Sequence, residues 1–212
     1  MTSAVPVDSL LVATHNEGKR REFAALLAPF VQTVFSAAQK NLPEPAETED
    51  TFAGNAKLKA LAGMRATGLL TLADDSGFSI KALDGRPGVY SARFAAIGKD
   101  HDYDKAAQRL HDEIGGDAAR HAYFTCVLAL ARPDGAIHLV ESRCEGEFIY
   151  PGRGDKGFGY DPFFAPTGHK RTFGEMAPQE KHPLSHRGKA LVQLMEFLTT
   201  TEGRAFLTAA HS

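Results

Sequence analysis

An α/β fold built on a mixed β-sheet flanked by helices is predicted for this chain of 212 residues by three observations. An apolar run near the start, SLLVAT, is followed at once by a stretch with helical periodicity. A second helical stretch leads directly into another apolar run, LLTLA. Farther along, two long strand-like segments flank the turn signal PDG. Strands separated by helices run parallel, whereas strands joined by a tight turn run antiparallel, so one sheet holding both kinds is mixed.

Each element has its own signal. SLLVAT has the composition of a buried strand, and in HNEGKRREFAALLAPF the residues Phe23, Leu26, Leu27 and Phe30 fall at i, i+3, i+4 and i+7, one helical stripe. TEDTFAGNAKLKALAGMRATG reads as a helix capped by Asp50 or Thr51 and closed near Gly68. LLTLA is the next strand and is expected to run out into Asp74, Asp75, Ser76 and Gly77. AYFTCVLALA and IHLVESRCEGEFI form a long hairpin about PDG. HRGKALVQLMEFL, with Leu191, Leu194, Met195 and Leu198 on one stripe, is expected to end the fold. No repeat, low-complexity tract or long Pro/Gly linker divides the chain, so residues 1–212 read as one domain, or as two small lobes around a shared core.

Composition excludes several function classes. Apolar residues make up 43% and no apolar tract is long enough to span a bilayer, so a membrane role is not expected. The start, MTSAVPVDSLLVAT, has neither a basic leader nor a long apolar core, which points to the cytoplasm. Cys126 and Cys144 lack both disulfide-framework number and metal-ligand spacing, and read as buried thiols. A formal charge of -2 argues against wrapping a nucleic acid polymer, but leaves room for a small anion in a local basic site.

Four stretches carry chemistry. THNEGKRRE lies between a strand and a helix N-terminus, where free N–H groups, Gly18 and Lys19 suit a phosphate, although Walker spacing is absent. In ETEDTFAGNAKLKA, Asn55 and Lys59 are four apart on one helix face. Glu47 and Asp75 together with substrate phosphates and waters suffice for a hard cation such as Mg2+. In GDKGFGYDPFFAP, glycines alternate with aromatic residues, which suits either core packing or stacking on a planar base, and Asp161 precedes a proline that holds it extended. In EKHPLSHRGKAL, Ser185 reads as the N-cap of the last helix, placing His186 and Arg187 at an anion-attracting terminus near Lys181.

THNEGKRREF, ETEDTFAGNAKLKA, ADDSGF, GRPGVYSARFA, GFGYDPFF and SHRGKAL, in that order, resemble the signatures of the inosine/xanthosine triphosphate pyrophosphatases. These house-cleaning enzymes hydrolyse ITP, dITP and XTP to the monophosphate and pyrophosphate. The resemblance implies an elongated α/β fold with a long central mixed sheet, two lobes enclosing a nucleotide cleft, Mg2+ dependence and a homodimer. It places Thr14, His15, Asn16, Glu17, Gly18 and Lys19 on the substrate phosphate loop, and Lys59 on a lysine of the second motif. Glu47 and Asp75 fall on the metal positions, with Asp75 also the catalytic base and Ser76 beside it in substrate contact. Phe158, Gly159, Tyr160 and Asp161 match the base-side loop, and Lys181, His186 and Arg187 the nucleotide-gripping cluster. Three positions depart from the frequent pattern: His15 for Gly, Gly54 for Glu and Phe78 for Leu.

Adjacent carboxylates at the end of a buried run are costly unless a cation favours their charged form, so the Asp74-Asp75 pair is explained by a metal site. Two rival readings remain at this stage. A nucleotide-sensing module would use the same loops without turnover, and a pyrimidine-type house-cleaning pyrophosphatase would differ in substrate profile.

Overall fold

The computed structural model describes residues 7–15, 17–98, 100–115 and 120–208, and of residues 17–19, 21 and 22 the backbone alone. The elements follow in the order β1 (Val7–Val12), α1 (Glu17–Leu27), β2 (Val31–Ser36), α2 (Phe52–Thr67) and β3 (Leu70–Ile80). Next come α3 (Ser91–Ala95), β4 (Ala96–Ile97), β5 (Asp100–His101), α4 (Tyr103–Ile114), β6 (His121–Ala131) and β7 (Ile137–Phe148). The chain continues through β8 (Phe164–Pro166), α5 (Pro178–Leu184), α6 (His186–Thr199) and α7 (Thr201–Thr208). A six-stranded sheet runs β2-β1-β3-β6-β7-β8, and β4 and β5 form a separate two-stranded sheet. β1 is parallel to both β2 and β3, whereas β7 is antiparallel to β8, so the central sheet is mixed as predicted.

Local chemistry accounts for the main boundaries. Thr51 caps α2 by accepting the N–H of Gly54, and Gly68 closes it at φ 68° with its N–H on the carbonyl of Met64. Arg132 donates its N–H to Ala136 and Gly135 to Arg132, closing the turn that contains PDG between β6 and β7. Phe23 and Leu27 are fully buried on α1, each worth roughly 1.5–3 kcal/mol of burial, while Leu26 stays half-buried. On α6 the buried stripe is Leu191, Leu194 and Leu198, with Met195 half-buried.

Four expectations need correction, one of them that Asp161 is extended before Pro162: it opens a short 3₁₀ helix, Asp161–Phe163. The strand over LLTLA does not run out at the acids: β3 continues through Asp74, Asp75, Ser76 and Gly77 to Ile80. Phe78 and Ile80, both fully buried, extend its apolar pattern beyond the polar interruption, and their burial outweighs the poor strand propensity of Asp and Gly. Gly18 is in the first turn of α1 rather than in the preceding loop. Nor does α6 end the fold, because α7 follows and buries Gly203 and Leu207.

The chain forms two compact units. One comprises the residues up to Asp75, Val127–Glu141 and those from Ala190; the other comprises Ser76–Cys126 and Ser142–Lys189. The first unit contains a core of small side chains, with Ala56, Ala60 and Met64 of α2 against Ala73, Val127, Ala129 and Ala131. The second is built on aromatic rings: Phe78 stacks on Tyr160 at 4.9 Å and also meets Phe124, Phe148 and Phe164. Phe78 is thus a packing residue in this chain. Both cysteines are buried and unpaired with each other, and burial pushes the Cys144 thiol up to about 11. Among the described residues no helix is long and apolar enough to cross a membrane.

Candidate functional site

The first unit assembles a charged cluster on one face of β3. Strand side chains alternate, so Asp75 shares a face with Thr71 and Ala73, whereas Asp74 and Ser76 point to the opposite face. Ala73 packs with α2, and Asp75 therefore faces the same helix. Lys59 of α2 donates from Nζ to Asp75 Oδ1 at 2.9 Å and to Glu47 Oε1 at 2.8 Å. Its depth is set by Gly63, one turn farther along the helix, where a Cβ would come within 2.8 Å of Leu11 Cδ2 and 3.0 Å of Thr71 Cγ2. Without that close approach, α2 would ride higher and lift the ammonium off Asp75.

Asn55 holds the loop that presents Glu47. Fully buried on the face it shares with Lys59, it accepts the Glu49 N–H at 3.0 Å and donates from Nδ2 to the Glu49 carbonyl at 3.2 Å. Gly54 leaves room for this loop, because a Cβ there would lie 2.6 Å from Glu49 Cβ. The i, i+4 spacing of Asn55 and Lys59 shows in the sequence that they share a face. That one clamps backbone and the other grips a carboxylate depends on a loop whose path has no local signature.

Electrostatics follow from burial and this triad. Burial raises the Asp75 carboxyl, Lys59 partly offsets the rise, and it stands at about 6 against an ordinary 3.8. Burial also acts to discharge Lys59, but Asp75, Glu47 and Asp74 outweigh it and keep the ammonium charged. The second oxygen of Asp75, Oδ2, is buried with no hydrogen-bond partner. Such an atom is costly and unusual unless something absent from the protein itself completes it. Among the described residues no three His, Cys, Asp or Glu side chains form a metal cage of their own.

The described residues expected on a phosphate loop lie in the same unit. Thr14 is buried and its carbonyl accepts the Ala37 N–H, while His15 donates from Nε2 to the Leu42 carbonyl at 2.8 Å. His15, the departure from Gly, therefore ties this loop to the segment after β2. His15 and Lys59 both line a cavity of about 230 Å³ whose other walls are mostly apolar. Asn16 lies outside the described residues, and Glu17, Gly18 and Lys19 begin α1 with only their backbone described.

The second unit gathers the remaining candidates. Asp161, 3% exposed, accepts the Phe158 N–H at 2.8 Å and the Lys181 ammonium at 2.5 Å on the same oxygen. Gly157, at φ 77°, leaves space for it, since a Cβ there would meet Asp161 Oδ2 at 2.1 Å. Gly159 is also left-handed, at φ 66°. The Phe158 ring is 62% exposed, with Lys181 Nζ 5.2 Å and the Arg187 guanidinium 5.9 Å from its centroid. Tyr160 behaves differently: it is 3% exposed, stacked on Phe78, with its hydroxyl on the Ser91 carbonyl. Of the two rings, only Phe158 offers a free face.

Ser185 caps α6 as predicted, accepting the Gly188 N–H at 3.0 Å. His186 and Arg187 accordingly occupy its first turn. The His186 ring lies flat on Phe124 at 4.7 Å and 7°. Nothing local in the sequence pairs these two residues, which are separated by more than sixty positions.

The chain is similar in sequence and fold to known proteins. A sequence model of the Ham1 family matches residues 10–197. The dITP/XTP pyrophosphatase of Gluconobacter oxydans is 51% identical over 92% of this chain and 93% of its own, and that of Ruegeria pomeroyi is 50% identical over 92% and 98%. Among solved structures, a HAM1 protein from Coxiella burnetii superposes with a TM-score of 0.83 at 38% identity, covering 91% of this chain and 98% of that one. The nucleoside-triphosphatase / dITP/XTP pyrophosphatase of Mycobacterium abscessus gives 0.71 at 38% identity, with 88% and 98% covered.

Proposed function

This chain belongs to the Ham1 family, and from that premise we propose that it hydrolyses ITP, dITP and XTP to the nucleoside monophosphate and pyrophosphate. The observation that carries the residue assignment is the cluster on β3, where Lys59 bridges Glu47 and Asp75 and Asp75 keeps an unpartnered buried oxygen. In this proposal Asp75 orients the attacking water and accepts its proton, because among the described residues Oδ2 is the one buried carboxylate oxygen without a hydrogen-bond partner. Lys19 and Lys59 hold phosphate oxygens, with Thr14, His15, Asn16, Glu17 and Gly18 forming the phosphate loop at the start of α1. Ser76 contacts substrate from the opposite face of the same strand.

Glu47 and Asp75 fit a Mg2+ ion: two carboxylates with one orphaned oxygen supply what a hard cation takes from protein when substrate phosphates and waters complete its shell. When bound, the ion neutralises charge on the transferring and leaving phosphate oxygens. Base recognition falls to the residues about Phe158. Phe158 packs against the purine, Asp161 and Gly159 shape its loop, Lys181 is held in place by Asp161, and His186 and Arg187 donate to the 6-oxo group. Tyr160 acts from beneath as a core support for that loop. The proposal treats residues 1–212 as one catalytic domain, and a cytoplasmic homodimer accompanies it, the dimer to be checked by sedimentation.

The test is turnover across all common nucleoside triphosphates together with ITP, dITP and XTP. Pyrophosphate release is expected to be fastest with the three oxo-purine substrates, abolished by EDTA and restored by Mg2+. Binding without product would make the chain a sensor, and a preference for pyrimidines would exclude the purine assignment. Full activity after exhaustive chelation would remove the metal from Glu47 and Asp75.

A further inference from the structure

One oxygen of each carboxylate that a divalent cation would take from this protein is already engaged by Lys59. Lys59 Nζ lies 2.8 Å from Glu47 Oε1 and 2.9 Å from Asp75 Oδ1, and its side chain is only 10% exposed. This is a built position rather than a chance surface pair. Gly63 sets the depth of the helix that delivers the ammonium, and Asn55 fixes the loop that delivers Glu47. Two buried or half-buried carboxylates without a counter-charge would be expensive, and here the lysine supplies it.

We propose that Lys59 is a resident rival of the divalent cation, neutralising Glu47 and Asp75 in the free protein and keeping the ion from binding tightly before the nucleotide arrives. The inference rests on the metal reading of these two carboxylates. An incoming ion must displace the ammonium from the carboxylate oxygens it takes, and that competition lowers its affinity. A displaced ammonium needs another anion, and a nucleotide's phosphates provide one. Ion and nucleotide then favour each other's binding through one lysine, and the coupling is reciprocal. The unpartnered Asp75 Oδ2 offers the competing arrangement, in which an ion binds that oxygen while Lys59 stays where it is.

Mn2+ binding to the nucleotide-free protein, read from the electron paramagnetic resonance signal of the free ion, tests whether Lys59 weakens the site, and the Lys59 ammonium signal itself tells displacement from coexistence. Lys59→Met is expected to bind Mn2+ at least about tenfold more tightly than the wild type, because removing one adjacent positive charge is worth that much or more at this range. Lys59→Arg, which keeps the charge, should stay near the wild type. A loss of packing alone would weaken the site, so unchanged or weaker binding in folded Lys59→Met overturns the proposal. If that variant does not fold, the wild type suffices: the slowly exchanging Lys59 ammonium, assigned by 15N NMR through its absence in Lys59→Arg, should lose its protection as Mg2+ saturates the protein. Its persistence at saturation overturns the proposal equally. Tight Mn2+ binding that ignores Lys59 removes the rivalry but leaves the metal site; no Mn2+ binding by any of these proteins removes both.

Discussion

Asp75→Asn is expected to cut kcat on ITP, dITP and XTP by about a hundredfold or more while the protein stays folded, since a lost general base alone costs ~10²–10⁴. The same substitution should flatten the pH dependence of the stability of the metal-free protein between about pH 4 and pH 6. The Asp75 carboxyl stands at about 6 in the folded chain against 3.8 ordinarily, so the folded state holds a proton that the unfolded chain has released. As pH rises from about 4 to about 6 the folded state loses that advantage, and stability falls across this window. Asn removes the titrating group and with it the pH-dependent loss. The wild type should therefore lose more of its melting temperature between pH 4 and pH 7 than the variant does. A variant whose melting temperature falls as much as the wild type's over that range, or that turns over at wild-type rate, contradicts the assignment of Asp75 as a strained functional carboxylate.

The second large effect concerns choice of base. Hypoxanthine and xanthine carry a 6-oxo group where adenine carries an amino group, and a site that donates to that oxygen leaves a donor unsatisfied when adenine enters. Arg187 sits in the first turn of α6 beyond the Ser185 cap, with its guanidinium 5.9 Å from the exposed Phe158 ring. Arg187→Ala is expected to lower kcat/KM for ITP by roughly 30- to 100-fold, the worth of a charge-assisted hydrogen bond, and for ATP by much less. The gap between the two substrates narrows accordingly. Equal losses would mean that Arg187 grips a part common to both, such as the phosphates. GTP retains the 6-oxo group, so its exclusion rests on steric and desolvation cost at the 2-amino group, and Arg187→Ala should leave the ITP-to-GTP ratio nearly unchanged.

Much of this could be read from sequence where a local rule governs. The caps Thr51, Gly68 and Ser185, the PDG turn and the α6 stripe all follow from short-range chemistry and stand where the sequence places them. The continuation of β3 was not legible, because Asp-Asp-Ser-Gly has the composition of a turn and only tertiary burial of Phe78 and Ile80 keeps it extended. The pairing of Lys59 with Glu47 was hidden for a similar reason: a residue twelve positions away on a loop has no periodicity to announce it. Phe158 and Tyr160 look alike in the sequence, two rings in a glycine-rich loop. Their fates diverge because Tyr160 finds Phe78, Tyr103 and the Ser91 carbonyl, whereas Phe158 is largely exposed beside two cations.

The central claim is that Asp75 directs water at the α-phosphorus of an oxo-purine nucleotide, and hydrolysis of ITP in 18O-labelled water tests it most directly. 31P NMR of the products distinguishes the sites of attack through the isotope shift on the labelled phosphorus. The account predicts one 18O on the phosphate of inosine monophosphate and none in pyrophosphate. Label in pyrophosphate, or release of orthophosphate in its place, would move the attack to the β- or γ-phosphorus and contradict it.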